Sequence, residues 1–96
     1  MKEIFERRSV RKYQNKPVPY HLVEEIIKAG MTAPSAGNEQ PWEFVVIEDR
    51  NILDNIAKVH PYATMLNDCA VSIVVCGNLS FQRYEGFWVQ DCSAAT

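Results

Sequence analysis

Only two stretches of this 96-residue chain can carry a β-sheet, and that shortage constrains the fold more than any other feature. Trp42 to Ile47 is aromatic and β-branched with no breaker inside it. Ala70 to Cys76 is apolar nearly throughout, the pattern of a strand covered on both faces, and Gly77-Asn78 ends it. A two-stranded sheet is not normally self-supporting. The strands must therefore lean on helices, and the expected fold class is α+β in a single domain.

The helices read from spacing and breakers. Met1 to Arg8 predicts a short helix with Ile4 and Phe5 as its apolar edge. Asn15-Lys16-Pro17-Val18-Pro19 breaks the chain, because proline lacks an amide donor and disfavours helix at the residue before it. A second helix is expected from Pro19 to Met31, with Leu22, Val23, Ile26, Ile27 and Gly30 on its buried face. Ala33 to Pro41 is a loop on composition. Asp49 is placed to cap a third helix, Arg50 to Val59, with Ile52, Leu53 and Ile56 inward. Pro61 to Asn67 reads as a short helix or turn. Phe87 to Thr96 reads as the start of a further helix, with no glycine or proline stop signal inside it. With so few strands, that run leads us to expect one portion of a longer domain.

Composition excludes several functional classes. A net charge of -2 gives no global basic field for nucleic acid or an anionic membrane. No apolar run approaches the roughly 20 residues that a membrane helix needs. The N-terminus lacks the apolar core of a signal peptide, so a cytoplasmic location is expected. Cys69, Cys76 and Cys92 form no CxxC pair and are read as small buried hydrophobes. His21 and His60 have no cysteine at zinc-ligand spacing, so no metal site is expected. No serine stands in a GxSxG context, and the adjacent Glu24 and Glu25 point in different directions on a helix. No catalytic side chain is therefore assigned.

Two segments carry candidate binding chemistry. In Arg7-Arg8-Ser9-Val10-Arg11-Lys12 three guanidiniums and a hydroxyl lie at a helix-to-extended boundary. Arginine forks match phosphate oxygens bidentately, and Ser9 can add a short O–H contact. The plainer reading is a solvated basic surface. In Pro34-Ser35-Ala36-Gly37-Asn38-Glu39-Gln40-Pro41-Trp42 small residues let the backbone approach a flat ligand. Ser35, Asn38 and Gln40 supply donors and acceptors suited to the edge of a heterocycle. The plainer reading there is a helix-to-strand loop with Trp42 as a core anchor. Tyr62, Phe81, Tyr84, Phe87 and Trp88 could stack on a ligand, although core packing is the commoner fate of aromatics.

Taken together, Arg-Arg-Ser-Val-Arg-Lys-Tyr, a proline-broken link, a helix, and Ala-Pro-Ser-Ala-Gly-Asn-x-Gln-Pro-Trp before a strand resemble the nitroreductase family of FMN flavoproteins. Ala70 to Cys76 and Gln90 to Thr96 resemble that family's later strand and central helix, so the likeness covers the chain. The resemblance implies an α/β/α sandwich around a central mixed sheet, of which residues 1–96 form the N-terminal portion. It implies an intertwined homodimer with FMN at the subunit interface. Arg7, Arg8 and Ser9 fall where the family grips the phosphate, and Arg11 where a cation lies near the ring. Pro34, Ser35 and Asn38 fall where the other subunit covers the flavin. NAD(P)H as co-substrate and an electron-poor acceptor, a nitroaromatic or quinone, would then react in ping-pong order. His60 to Asn67 departs from the family pattern and receives no role. The alternative is a catalytically incomplete piece that acts only within a larger or swapped assembly.

Overall fold

A computed structural model describes residues 1–96 as an α+β fold. Helix α1 covers Lys2–Glu6, α2 Tyr20–Gly30, α3 Arg50–Val59 and α4 Trp88–Ala95, with strands β1 at Trp42–Ile47 and β2 at Ser72–Gly77. Three 3₁₀ turns fill the connections: Ala36–Asn38, Thr64–Asn67 and Leu79–Phe81.

The sheet is one antiparallel pair, in register from Trp42 opposite Gly77 to Ile47 opposite Ser72. Helix α4 packs on both strands and touches α2. At that contact Trp42, Cys92 and Ala95 bury together, with Ala33, Phe44, Val75 and Trp88 against them. Gly77 is required there: a Cβ on it would lie 2.4 Å from Trp88 Cε3. Helix α3, which packs against the 3₁₀ turn Thr64–Asn67, buries Leu53 completely along with Ala57. Full burial of a leucine is worth about 1.5–3 kcal/mol. Asp49 caps α3 by accepting from the Ile52 amide at 3.0 Å, as its position predicts. Arg50 then ties α3 to the segment before β2, donating to the Leu66 and Cys69 carbonyls and pairing with Asp54.

Several sequence expectations need correction. Helix α1 is five residues long and buries nothing, so Ile4 and Phe5 have no surface to cover. Leu22 and Ile26 are exposed on α2, where only Val23 is buried. Ile52 is half exposed on α3, its inward place taken by Ala57. Ala70 and Val71 precede β2, and Val74 is exposed, so the second strand is not covered on both faces. The α+β class stands, and the two strands of this chain form one antiparallel pair, consistent with a portion of the larger sheet. The common cause is that nine of 96 residues are buried: hydrophobic periodicity locates an apolar face but does not supply a partner for it. No helix is long and apolar enough to cross a membrane.

Candidate functional site

The two sequence-predicted segments take opposite forms. Residues 1–17 are exposed throughout, and every hydrogen bond they make closes within that stretch. Helix α1 stops at Arg7, whose φ of -53° and ψ of 135° turn the chain into extended backbone. Beyond that point Arg7 Nη1 donates to Ser9 Oγ at 3.2 Å and Arg11 Nη1 donates to the Ser9 carbonyl at 3.4 Å. Arg8 bonds the Phe5 and Arg7 carbonyls. The ion pairs in the chain are Met1 with Glu3, Lys2 with Glu6 and Arg50 with Asp54. Arg7 and Arg11 therefore meet at Ser9, Arg8 turns back to the end of α1, and none of the three is paired with a carboxylate. A donor set of three forks and a hydroxyl suits a phosphate dianion.

The second segment is a tight turn held from outside. Gly37, Asn38 and Gln40 have φ of 59°, 54° and 50°, left-handed backbone that glycine and asparagine accept most easily. Ser35 Oγ accepts from the Gln40 amide at 3.0 Å and closes the turn on itself. Its O–H remains available to donate. The Ala36 amide donates to Asp91 Oδ1 at 2.9 Å, 55 residues away on α4. Glu39 Oε1 accepts from the amides of Arg83 and Tyr84. The Tyr84 ring lies over Gly37, where a Cβ would come within 2.4 Å of Cε2. Asp91 Oδ2 and Glu39 Oε2 are buried with no partner.

Of the predicted residues, Arg7, Arg8, Ser9 and Arg11 come together on the arm, and Pro34, Ser35 and Asn38 share the turn. No hydrogen bond joins the two groups within one chain. The largest concavity, about 850 Å³, lies between the chain from Val10 to Pro19 and the approach to β2, with Lys12, Tyr13, Val18 and Ile73 in its wall. A polar one of about 530 Å³ opens at the turn, between Asn38, Glu39, Phe81 and Arg83. Among the predicted residues only Asn38 lines either.

Sequence reasoning missed Asp91 and Glu39. Asp91 carried a usable signal: it stands between Trp88 and Ala95 on the inward side of α4, and a lone carboxylate on an apolar helix face is rarely buried without a task. Glu39, inside the loop, carried none. The neighbouring Cys92 thiol is pushed above its ordinary range, first by burial, then by the charges of Asp91 and Cys76. Its Sγ faces the Cys76 carbonyl at 3.7 Å.

Fold and turn together define the class: an α+β protein in which a left-handed turn of small residues is fastened to the helix packed on the sheet. The sequence pattern of the Nitroreductase family matches residues 4–66. A candidate NADH dehydrogenase/NAD(P)H nitroreductase of Methanothermobacter thermautotrophicus is 49% identical over 90 residues, covering 94% of this chain and 47% of that protein. The crystal structure of a protein of the same description from Bacteroides thetaiotaomicron superposes with a TM-score of 0.90 at 47% identity, covering 98% of this chain and 54% of that one. A candidate nitroreductase from Desulfovibrio desulfuricans, crystallised in complex with FMN, superposes with a TM-score of 0.87 at 32% identity, covering 98% of this chain and 55% of that one. The chain belongs to the nitroreductase family, and it spans about half the length of these relatives.

Proposed function

We propose that residues 1–96 are the N-terminal portion of one FMN-binding nitroreductase-like domain, whose activity is electron transfer from NAD(P)H to nitroaromatic, quinone or similar electron-poor acceptors. The observation that carries the reading is the run of guanidiniums Arg7, Arg8 and Arg11, two of them bonded to Ser9 and none paired with a carboxylate. An uncompensated cationic knot of this kind fits an anionic ligand, and the FMN-bound relative supports a flavin phosphate as that ligand.

Arg7, Arg8 and Ser9 hold the phosphate in this reading. Arg11 supplies a fixed cation that favours negative charge developing on the bound ring. Pro34, Ser35 and Asn38 of a second copy cover the ring, so the working unit is a homodimer, in the cytoplasm. FMN, when bound, supplies the hydride-accepting and electron-donating chemistry, with NAD(P)H and the acceptor using one cleft in ping-pong order. The protein's part is to grip, cover and tune.

FMN titration by fluorescence quenching tests this. We expect Arg7→Ala combined with Arg11→Ala to weaken binding by about two orders of magnitude, each charged hydrogen bond contributing about 1.5–3 kcal/mol. Unchanged occupancy would remove the proposal.

A second reading, a catalytically incomplete piece that works only in a larger assembly, is favoured by the thin core and the exposure of Ile26, Val45, Val74 and Val89. It calls for no NAD(P)H oxidation by the 96-residue chain with FMN added, and steady turnover by that chain alone would dispose of it.

A further inference from the structure

The proposed reading leaves open what gives the flavin-covering turn its shape, because Asn38, with Gly37 and Gln40, sits on backbone that a free loop would not hold. Three residues of that turn, two of them not glycine, have φ near +55°. Such conformations persist only where the surroundings over-determine them. The connection Ser80 to Gly86 and the first turns of α4 provide the constraint. Asp91 is 5% exposed, and its Oδ1 takes the Ala36 amide. Glu39 reaches out to the backbone at Arg83 and Tyr84, and the Tyr84 ring closes over Gly37.

We propose that Asp91 is a positioning residue for flavin binding: its carboxylate fixes the Ala36 amide, and through it the left-handed turn that presents Ser35 and Asn38. The inference rests on the flavin reading for its consequence and on the Asp91–Ala36 hydrogen bond for its cause. An acidic group buried with one oxygen unpartnered is costly to keep for packing alone. The required element is the acceptor at Oδ1, not the charge, so asparagine can replace it. This role requires of Asp91 no contact with the ligand and no part in chemistry. It acts through the loop, and on the ring side of the ligand, not its phosphate.

The variants are Asp91→Ala and Asp91→Asn in the whole chain, with two readouts. The first is amide hydrogen exchange at Ala36 without ligand. We expect Asp91→Ala to lose protection by about tenfold or more, and Asp91→Asn to keep it. The second is titration with FMN and with riboflavin, followed by visible circular dichroism of the bound ring. Asp91→Ala should weaken both ligands by a similar factor and alter the ring's dichroism, while Asp91→Asn restores both. Arg7→Ala should instead erase the preference for FMN over riboflavin. Should Asp91→Ala fail to fold, Asp91→Asn decides: an Asn variant that folds but neither protects Ala36 nor restores the dichroism overturns the proposal. Wild-type Ala36 exchange in Asp91→Ala refutes the latch. Lost protection at Ala36 with an unchanged flavin signal in that variant refutes the positioning role. Failure of the wild-type chain to take up either ligand, with Ala36 protected by Asp91, sinks the flavin reading and the flavin role, and leaves the latch as a fact of the fold.

Discussion

The arm at residues 1–17 and the turn at Ser35–Gln40 are both polar and both poor in buried side chains, yet they are built in opposite ways. Hydrogen bonds of the arm run between neighbours and end there, so its arginines stay exposed and unneutralised. The turn adopts backbone that costs energy and is held by the Asp91 carboxylate, 55 residues away, and by its own Glu39 carboxylate, which accepts from amides 44 and 45 residues away. One region offers charge and leaves its own shape undetermined. The other offers shape, with Asp91 and Glu39 turned inward to maintain it. For a ligand with an anionic tail and a flat ring, this is a division between grip and surface.

If the turn belongs to a cooperative body on which the arm rides, the largest effects must come from that body. Leu53 is fully buried on α3, so Leu53→Ala should cost about 2–5 kcal/mol, read by urea or thermal unfolding. A loss below about 1 kcal/mol, within the range of an ordinary surface change, would mean that α3 is not part of one unit. Gly37→Ala comes next. A left-handed alanine costs about 1–2 kcal/mol, and the new methyl would also displace the Tyr84 ring. A neutral result by the same unfolding assay would show that the turn is not held in left-handed backbone, and the contrast with the arm would collapse.

Alkaline pH should act more gently and again only through the body. The Cys92 thiol has a native value raised above its unfolded one, so the folded state retains a proton there that the unfolded chain gives up. Its contribution is therefore full below the ordinary thiol range near 8.5 and is lost as pH climbs toward the raised value. Melting temperature followed from about pH 7.5 to pH 10 should fall less steeply in Cys92→Ala than in the wild type, because the variant lacks that thiol while sharing the other titrating groups. Equal slopes would mean that Cys92 is not desolvated.

What the sequence disclosed follows the same line. Strand β1, the cap at Asp49, α3 and the left-handed freedom needed at Gly37 are local properties, and each is written in adjacent residues. So is the meeting of Arg7 and Arg11 at Ser9, which spacing alone makes available. The exposure of Ile26 and Ile52 was not legible, because periodicity describes the side chain's direction and not what lies opposite. Nor was the latch: Ala36 and Asp91 meet only after β1, α3, β2 and α4 have assembled, and no spacing rule spans 55 residues. Ser35 shows the mixed case. Its candidacy as a ligand donor came from chemistry and its place over a flavin from the resemblance, while the Gln40 amide that it receives depends on the turn's fold.

The smallest expected effect tests the other half of the comparison. Arg7→Ala with Arg11→Ala removes two exposed guanidiniums whose only partners are Ser9 atoms two residues away. Such contacts are worth little against water, and neither arginine has an ion pair to lose. Unfolding free energy should therefore stay within about 0.5 kcal/mol of wild type, in low salt and in high salt alike. If anything, relief of repulsion among three clustered cations should raise stability slightly at low ionic strength. A clear loss, above about 1 kcal/mol, would mean that the arm docks on the body through these side chains. The arginines would then be structural, and not held free for an anion.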